Sequence, residues 1–63
     1  MNEVTNLLNN MAEQFQEATN DAEKFTNGNN SAGTRVRKAM QNIKNLAQQV
    51  RIEVQEQKNS VTA

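Results

Sequence analysis

Two runs of apolar residues keep an unbroken alternation of four and three, and one glycine-bearing stretch separates them. The first run is Val4, Leu8, Met11, Phe15, Ala18, Ala22 and Phe25. The second is Val36, Met40, Ile43, Ala47, Val50, Val54, Gln57 and Val61, with Gln57 its one polar member. An average spacing of about 3.5 residues suits an α-helix and not a strand, whose side chains alternate every two residues. No proline interrupts either run, so nothing in them forces a kink. Residues 27–33 read Asn-Gly-Asn-Asn-Ser-Ala-Gly and form the break. Gly28 can take the left-handed conformation that closes a helix, with Asn27 or Asn29 as substitutes. Asn30 or Ser31 can cap the next helix through a side-chain oxygen. The spacing predicts one domain over 1–63, with a helix over about 3–26, a loop over 27–31, a helix over about 31–58 and a frayed tail over 59–63.

A connection this short makes the helices antiparallel neighbours. Leu7, Ala39 and Leu46 lie one position beside the two seams and widen the apolar stripe. A stripe wider than a strict two-in-seven seam suits a helix with more than one neighbour. Size points the same way. Chains below about 70–80 residues rarely offset the entropy of ordering without a staple. This one has 63 residues and no cysteine or histidine. Disulfides and thiolate or imidazole metal sites are therefore unavailable, and oligomerisation is the remaining common device. The expected fold is all-α: an antiparallel, coiled-coil-like helical hairpin that dimerises into a four-helix bundle. Its expected oligomer core is Leu8, Met11, Phe15, Phe25, Met40, Ile43 and Val50. Small Ala18, Ala22 and Ala47 allow close approach.

The same composition excludes most chemistry. There is no nucleophilic cysteine and no Ser–His dyad. Glu13 and Glu17 are one helical turn apart but have no histidine partner. The Gly28…Gly33 spacing lacks both the Gly-Lys-Ser/Thr of a phosphate loop and a preceding strand. No catalytic residue, metal, cofactor or small-molecule substrate is expected. No apolar run approaches the roughly 18 residues that span a membrane, and Met1-Asn2-Glu3 lacks the layout of a signal peptide. A cytoplasmic protein without a membrane partner is expected. The abundant Asn and Gln lie mostly off the seams and read as solvated surface.

Charge is segregated beneath a net total of zero. Residues 1–27 carry five acids (Glu3, Glu13, Glu17, Asp21, Glu23) against Lys24, a net −4. Residues 34–63 carry six bases (Arg35, Arg37, Lys38, Lys44, Arg51, Lys58) against Glu53 and Glu56, a net +4. Arg37, Lys44, Arg51 and Lys58 recur every seven residues, so they stack along one side of the second helix at a rise of about 10.5 Å per rung. Arg35 and Lys38 add charge near its start, where backbone N–H groups also favour an anion. Two readings fit this pattern. In one, the bases answer the acids of the first helix and set the antiparallel register. In the other, they form a polyanion-binding stripe. No aromatic residues interleave the bases to stack on unpaired nucleotides. No helix-turn-helix or zinc-finger spacing supports sequence-specific reading.

The run Gly28-Asn29-Asn30-Ser31-Ala32-Gly33-Thr34-Arg35-Val36-Arg37-Lys38-Ala39 resembles the small bacterial linker-histone-like family first associated with chlamydial chromatin. Members share an acidic first helix, a loop of the form Gly-Asn-x-Ala-Ala-Gly/Ala, and Thr/Gln-Arg-x-Arg opening a basic second helix. The likeness is strongest over 27–39. It extends more weakly through Ile43, Leu46 and Arg51 toward 56, and Ala22-Glu23-Lys24 fits upstream. The resemblance implies a histone-like, nucleoid-associated protein that coats or compacts double-stranded DNA without sequence preference; the net charge of zero makes the expected binding weak. It implies a place in the nucleoid of a bacterium or of a phage host. Arg35, Arg37, Lys38 and Arg51 are then the phosphate contacts, with Gly28 and Gly33 as loop geometry. Lys44 and Lys58 join from the charge row. The competing expectation is a structural or adaptor bundle, oligomeric and with its charges paired internally, that has no nucleic-acid role.

Overall fold

The computed structural model describes the backbone of residues 2–62 and the side chains of residues 2–60. It consists of two helices, α1 (Glu3–Thr26) and α2 (Asn30–Thr62), packed against each other as an antiparallel hairpin. The hairpin is 54 Å long. Among the described residues there is no strand, and no helix is long and apolar enough to cross a membrane.

The turn follows from local chemistry. Gly28 has φ +104°. The Gly28 N–H donates to the Phe25 carbonyl at 3.0 Å, and the Asn29 N–H donates to the Lys24 carbonyl at 3.0 Å. This is the Schellman arrangement, in which a residue of positive φ lets the chain turn back on the last carbonyls of the helix. The cap of α2 is Asn29, one residue before the positions expected from sequence. Its Oδ1 accepts from the Ala32 N–H at 3.1 Å. The chain leaves the left-handed glycine already aimed into the next helix, so α2 starts at Asn30 and only Asn27, Gly28 and Asn29 lie between the helices. α2 also runs past the expected end near 58.

A Cβ added at Gly28 would meet nothing within 4 Å, so a side chain there is penalised only through the backbone. Gly28→Ala is expected to cost about 1–2 kcal/mol, the usual penalty of an L-residue in left-handed backbone. Gly28→Asn should recover part of that. Urea unfolding at one fixed protein concentration measures both. Equal midpoints for wild type and Gly28→Ala would contradict this account of the turn.

Gly33 serves a different purpose from the loop geometry expected of it. It lies inside α2, and a Cβ there would sit 2.6 Å from Cδ1 of Phe25. The missing side chain makes room for the Phe25 ring on the backbone of α2.

At the open end, Asn2 and Gln57 exchange side-chain amide hydrogen bonds, both 3.2 Å. Asn2 Oδ1 also accepts from the Val4 N–H and so caps α1. The one polar member of the second seam thus ties the start of α1 to α2. Near the loop, Arg35 Nε donates to Asp21 Oδ1 at 3.0 Å. These two pairs set the level of one helix against the other, with Phe15 opposite the stretch between Met40 and Ala47.

The inward face differs from the expected seam. Leu7, Ala18, Ala32 and Ile43 are buried, with Val4, Met11, Gln14, Asp21, Ala22, Gly33, Val36, Ala39, Leu46, Ala47, Val50, Glu53 and Gln57 partly so. Each helix has turned so that the row flanking its seam on one side (Leu7, Gln14, Asp21; Ala32, Ala39, Leu46) packs inward. Small Ala18, Ala32 and Ala39 let the helices approach, and three of the polar members find partners: Asp21 with Arg35, and Glu53 with Gln57. The single hairpin therefore covers only part of each seam. Leu8, Phe15, Phe25, Met40 and Val54 are 39–52% exposed in the single chain. The Val61 side chain lies outside the described residues, as does Ala63 at the end of the expected tail.

Candidate nucleic-acid interface

The rotation of the helices gives the hairpin two unlike faces. On one, Leu8, Phe15 and Ala22 of α1 lie beside Gly33, Met40, Ala47 and Val54 of α2, each row spaced by seven residues. Scattered exposed apolar side chains need no explanation, but a contiguous strip does. At the loop end this strip holds a groove of about 380 Å³ lined by Ala22, Phe25, Gly33, Val36 and Arg37 among others. On the opposite face, Gln14, Glu17 and Asp21 of α1 lie across from Arg35, Lys38 and Asn42 of α2.

This geometry divides the five bases singled out from the sequence. Arg35 and Lys38 sit on the polar face with Glu17 and Asp21. Arg35 gives its Nε–H to Asp21, and both side chains keep solvent contact, so the pair contributes about 0–1 kcal/mol to stability. Arg37, Lys44 and Arg51 lie on the other side of α2, along the rim of the apolar strip, all exposed. Arg37 lines the rim of the groove there. Arg37, Lys38, Lys44 and Arg51 form no ion pair with any described residue. Lys58 continues the same row by spacing.

A row of cations about 10.5 Å apart on one rigid helix can meet a phosphate backbone as a set of point charges. No aromatic side chain interleaves the row to offer a stacking platform. Among the described residues there is also no cluster of three or more acids fit to hold a metal.

Sequence reasoning missed three features of this region: the inward role of Leu7, the cap by Asn29, and the separation of Arg35 and Lys38 from the row. The first had a visible signal, because Leu7, Ala39 and Leu46 already marked the flanking row. The third did too: Arg35 stands two residues before Arg37, on the far side of a helical turn.

A family model described as Histone H1-like protein Hc1 matches residues 5–60. No curated protein and no solved structure matches.

Proposed function

The chain belongs to the family of Histone H1-like protein Hc1, and from that premise we propose that it is a nucleoid-associated protein that binds duplex DNA without reading its sequence, through the basic row of α2, as a homodimer. The observation that carries the reading is the exposed, unpaired row of Arg37, Lys44 and Arg51. Lysines and arginines near phosphates displace condensed counterions, and the free energy of that release is indifferent to base sequence. Arg35 and Lys38 add to the positive field near the loop from the other flank, with Asp21 answering part of it. The dimer forms through Leu8, Phe15, Phe25, Met40 and Val54, whose exposure a second apolar strip would remove. Half-buried Met11 and Val50 border that strip, while Ile43 is already covered within the hairpin.

The Asp21–Arg35 pair favours a second reading, in which the charges serve the bundle alone. A duplex gel shift at two salt concentrations separates the two. Binding is expected in the range of about 10⁻⁴–10⁻⁶ M, falling as salt rises and alike for A·T-rich and G·C-rich duplexes. Absence of low-salt binding, or a strength indifferent to salt, would leave only the structural bundle.

A further inference from the structure

Resting on that dimer, we infer the order of its helices and a consequence for DNA: each α2 lies beside the partner's α1 with both loops at one end, so the two basic rows fall on opposite sides and one dimer joins two duplexes.

Two hairpins closing through one face have two symmetric choices. With the twofold axis along the bundle, α2 lies beside the partner's α1, the two α2 helices are diagonal, and the loops share an end. With the axis across the bundle, α2 lies antiparallel beside the partner's α2, and the loops are at opposite ends.

The rims of the apolar strip distinguish the two. On α2 the rim is Arg37, Lys44 and Arg51; on α1 it is Thr5, Ala12, Thr19 and Thr26. An axis across the bundle would set Lys44 against the partner's Lys44 and Arg37 against the partner's Arg51. Like charges at the flanks of a helical interface oppose that pairing, as they do in coiled coils, and no duplex is present to offset them when the chain first pairs. An axis along the bundle sets the same bases against short, neutral side chains: Arg37 by the partner's Thr19, Lys44 by the partner's Ala12, Arg51 by the partner's Thr5. The row then meets no like charge and reaches past its neighbours into solvent.

Side-chain size agrees. At equal level, Phe15 of one copy falls between Met40 and Ala47 of the other, and Ala22 between Met40 and Gly33. The bulky Phe15 has room at Ala47, and Met40 has room at Ala22.

Function follows from the order. Diagonal α2 helices carry their rows to opposite sides of a bundle about 20 Å across, two helix diameters. No single straight duplex lies along both. The alternative order would gather both rows on one side and hold one duplex.

The chain has no cysteine, so Ser31→Cys, at an exposed site beside the loop, takes a single nitroxide label per copy. In the full dimer, pulsed electron resonance should give a label-to-label distance below about 30 Å, because the diagonal α2 axes lie about 11–14 Å apart when neighbouring axes are 8–10 Å apart. The alternative order places the labels at opposite ends, about 35 Å or more apart at 1.5 Å per residue, and that result overturns the inferred order. A second assay asks whether immobilised duplex retains a second, fluorescent duplex at low salt. Retention several-fold above the Phe15→Asp variant is expected. A dimer with the short distance that binds one duplex but never retains a second would overturn the joining of duplexes. Sedimentation showing only monomer would instead overturn the dimer itself, and loss of all duplex binding would overturn the DNA reading while leaving the helix order in place.

Discussion

Phe15→Asp separates the dimer, whereas Ile43→Asp abolishes the hairpin: these are the outcomes expected of two substitutions that the heptad pattern alone treats as equivalent. Ile43 is 8% exposed and faces α1 within one chain. A carboxylate there has no cation to answer it and costs more than about 4 kcal/mol, beyond what a chain of this size can lose. Phe15 is half-exposed in the single hairpin, so its replacement removes little from the intramolecular core. In the proposed dimer, the same substitution would remove an aromatic anchor from each copy and leave a carboxylate in the interface. The dissociation constant should rise by at least about a thousandfold, roughly 4 kcal/mol over two anchors. If pairing stabilises the hairpin as proposed, the wild-type melting temperature should climb with protein concentration. That climb should vanish in Phe15→Asp. Circular dichroism across a hundredfold range of concentration, with sedimentation equilibrium, checks both variants. A wild-type melt independent of concentration, or a Phe15→Asp chain that still sediments as a dimer, would defeat the expectation.

Neutralising the row on α2 should remove most duplex binding and most of its salt dependence together. If each duplex meets Arg37, Lys44 and Arg51 of one copy, log affinity should fall against log salt with a slope near −3. At about 50 mM salt, three released counterions are worth on the order of a thousandfold in affinity. The triple variant Arg37→Gln, Lys44→Gln, Arg51→Gln should lose most of that and show a nearly flat slope. These side chains are exposed and lie off the inward face, so helicity and dimer mass should hold, which separates lost contact from lost fold. Neutralising Arg35 and Lys38 instead should cost much less, because Asp21 already answers Arg35. In the same direction, Glu13→Gln with Glu17→Gln should strengthen binding modestly by removing negative field from α1. Fluorescence anisotropy across a salt series reads all of these. A triple variant that keeps the wild-type slope would show that the phosphate contacts lie elsewhere.

How much of this was legible in advance depends on whether a feature belongs to one helix or to two. The 4–3 spacing of Val4 to Phe25 and of Val36 to Gln57 is a property of each helix by itself, so helix number, direction and approximate length could be read directly. The breaker at Gly28 is local as well, because a positive φ is a demand on one residue. The motif from Gly28 to Ala39 pointed to the family that the match over residues 5–60 bears out.

The side of each seam that turns inward was not legible in this way. Both flanks of each seam are apolar enough to pack: Leu7 competes with Leu8, and Ala39 and Leu46 with Met40 and Ala47. A heptad pattern is silent on which flank meets the neighbour in the same chain. That choice depends on how the chain leaves α1, which is governed by the Gly28 backbone, the Asn29 cap and the hydrogen bonds back to Lys24 and Phe25. It depends equally on pairs far apart in sequence, Asn2 with Gln57 and Asp21 with Arg35. Residue order therefore determined two amphipathic helices, their turn and their segregated charge, since these rest on local periodicity and local backbone freedom. Only the tertiary packing decided that Leu7 rather than Leu8 is covered and that Phe15 and Met40 are left on the outer face. Each of those outcomes is a rotation of one helix relative to the other, a quantity that no single helix contains.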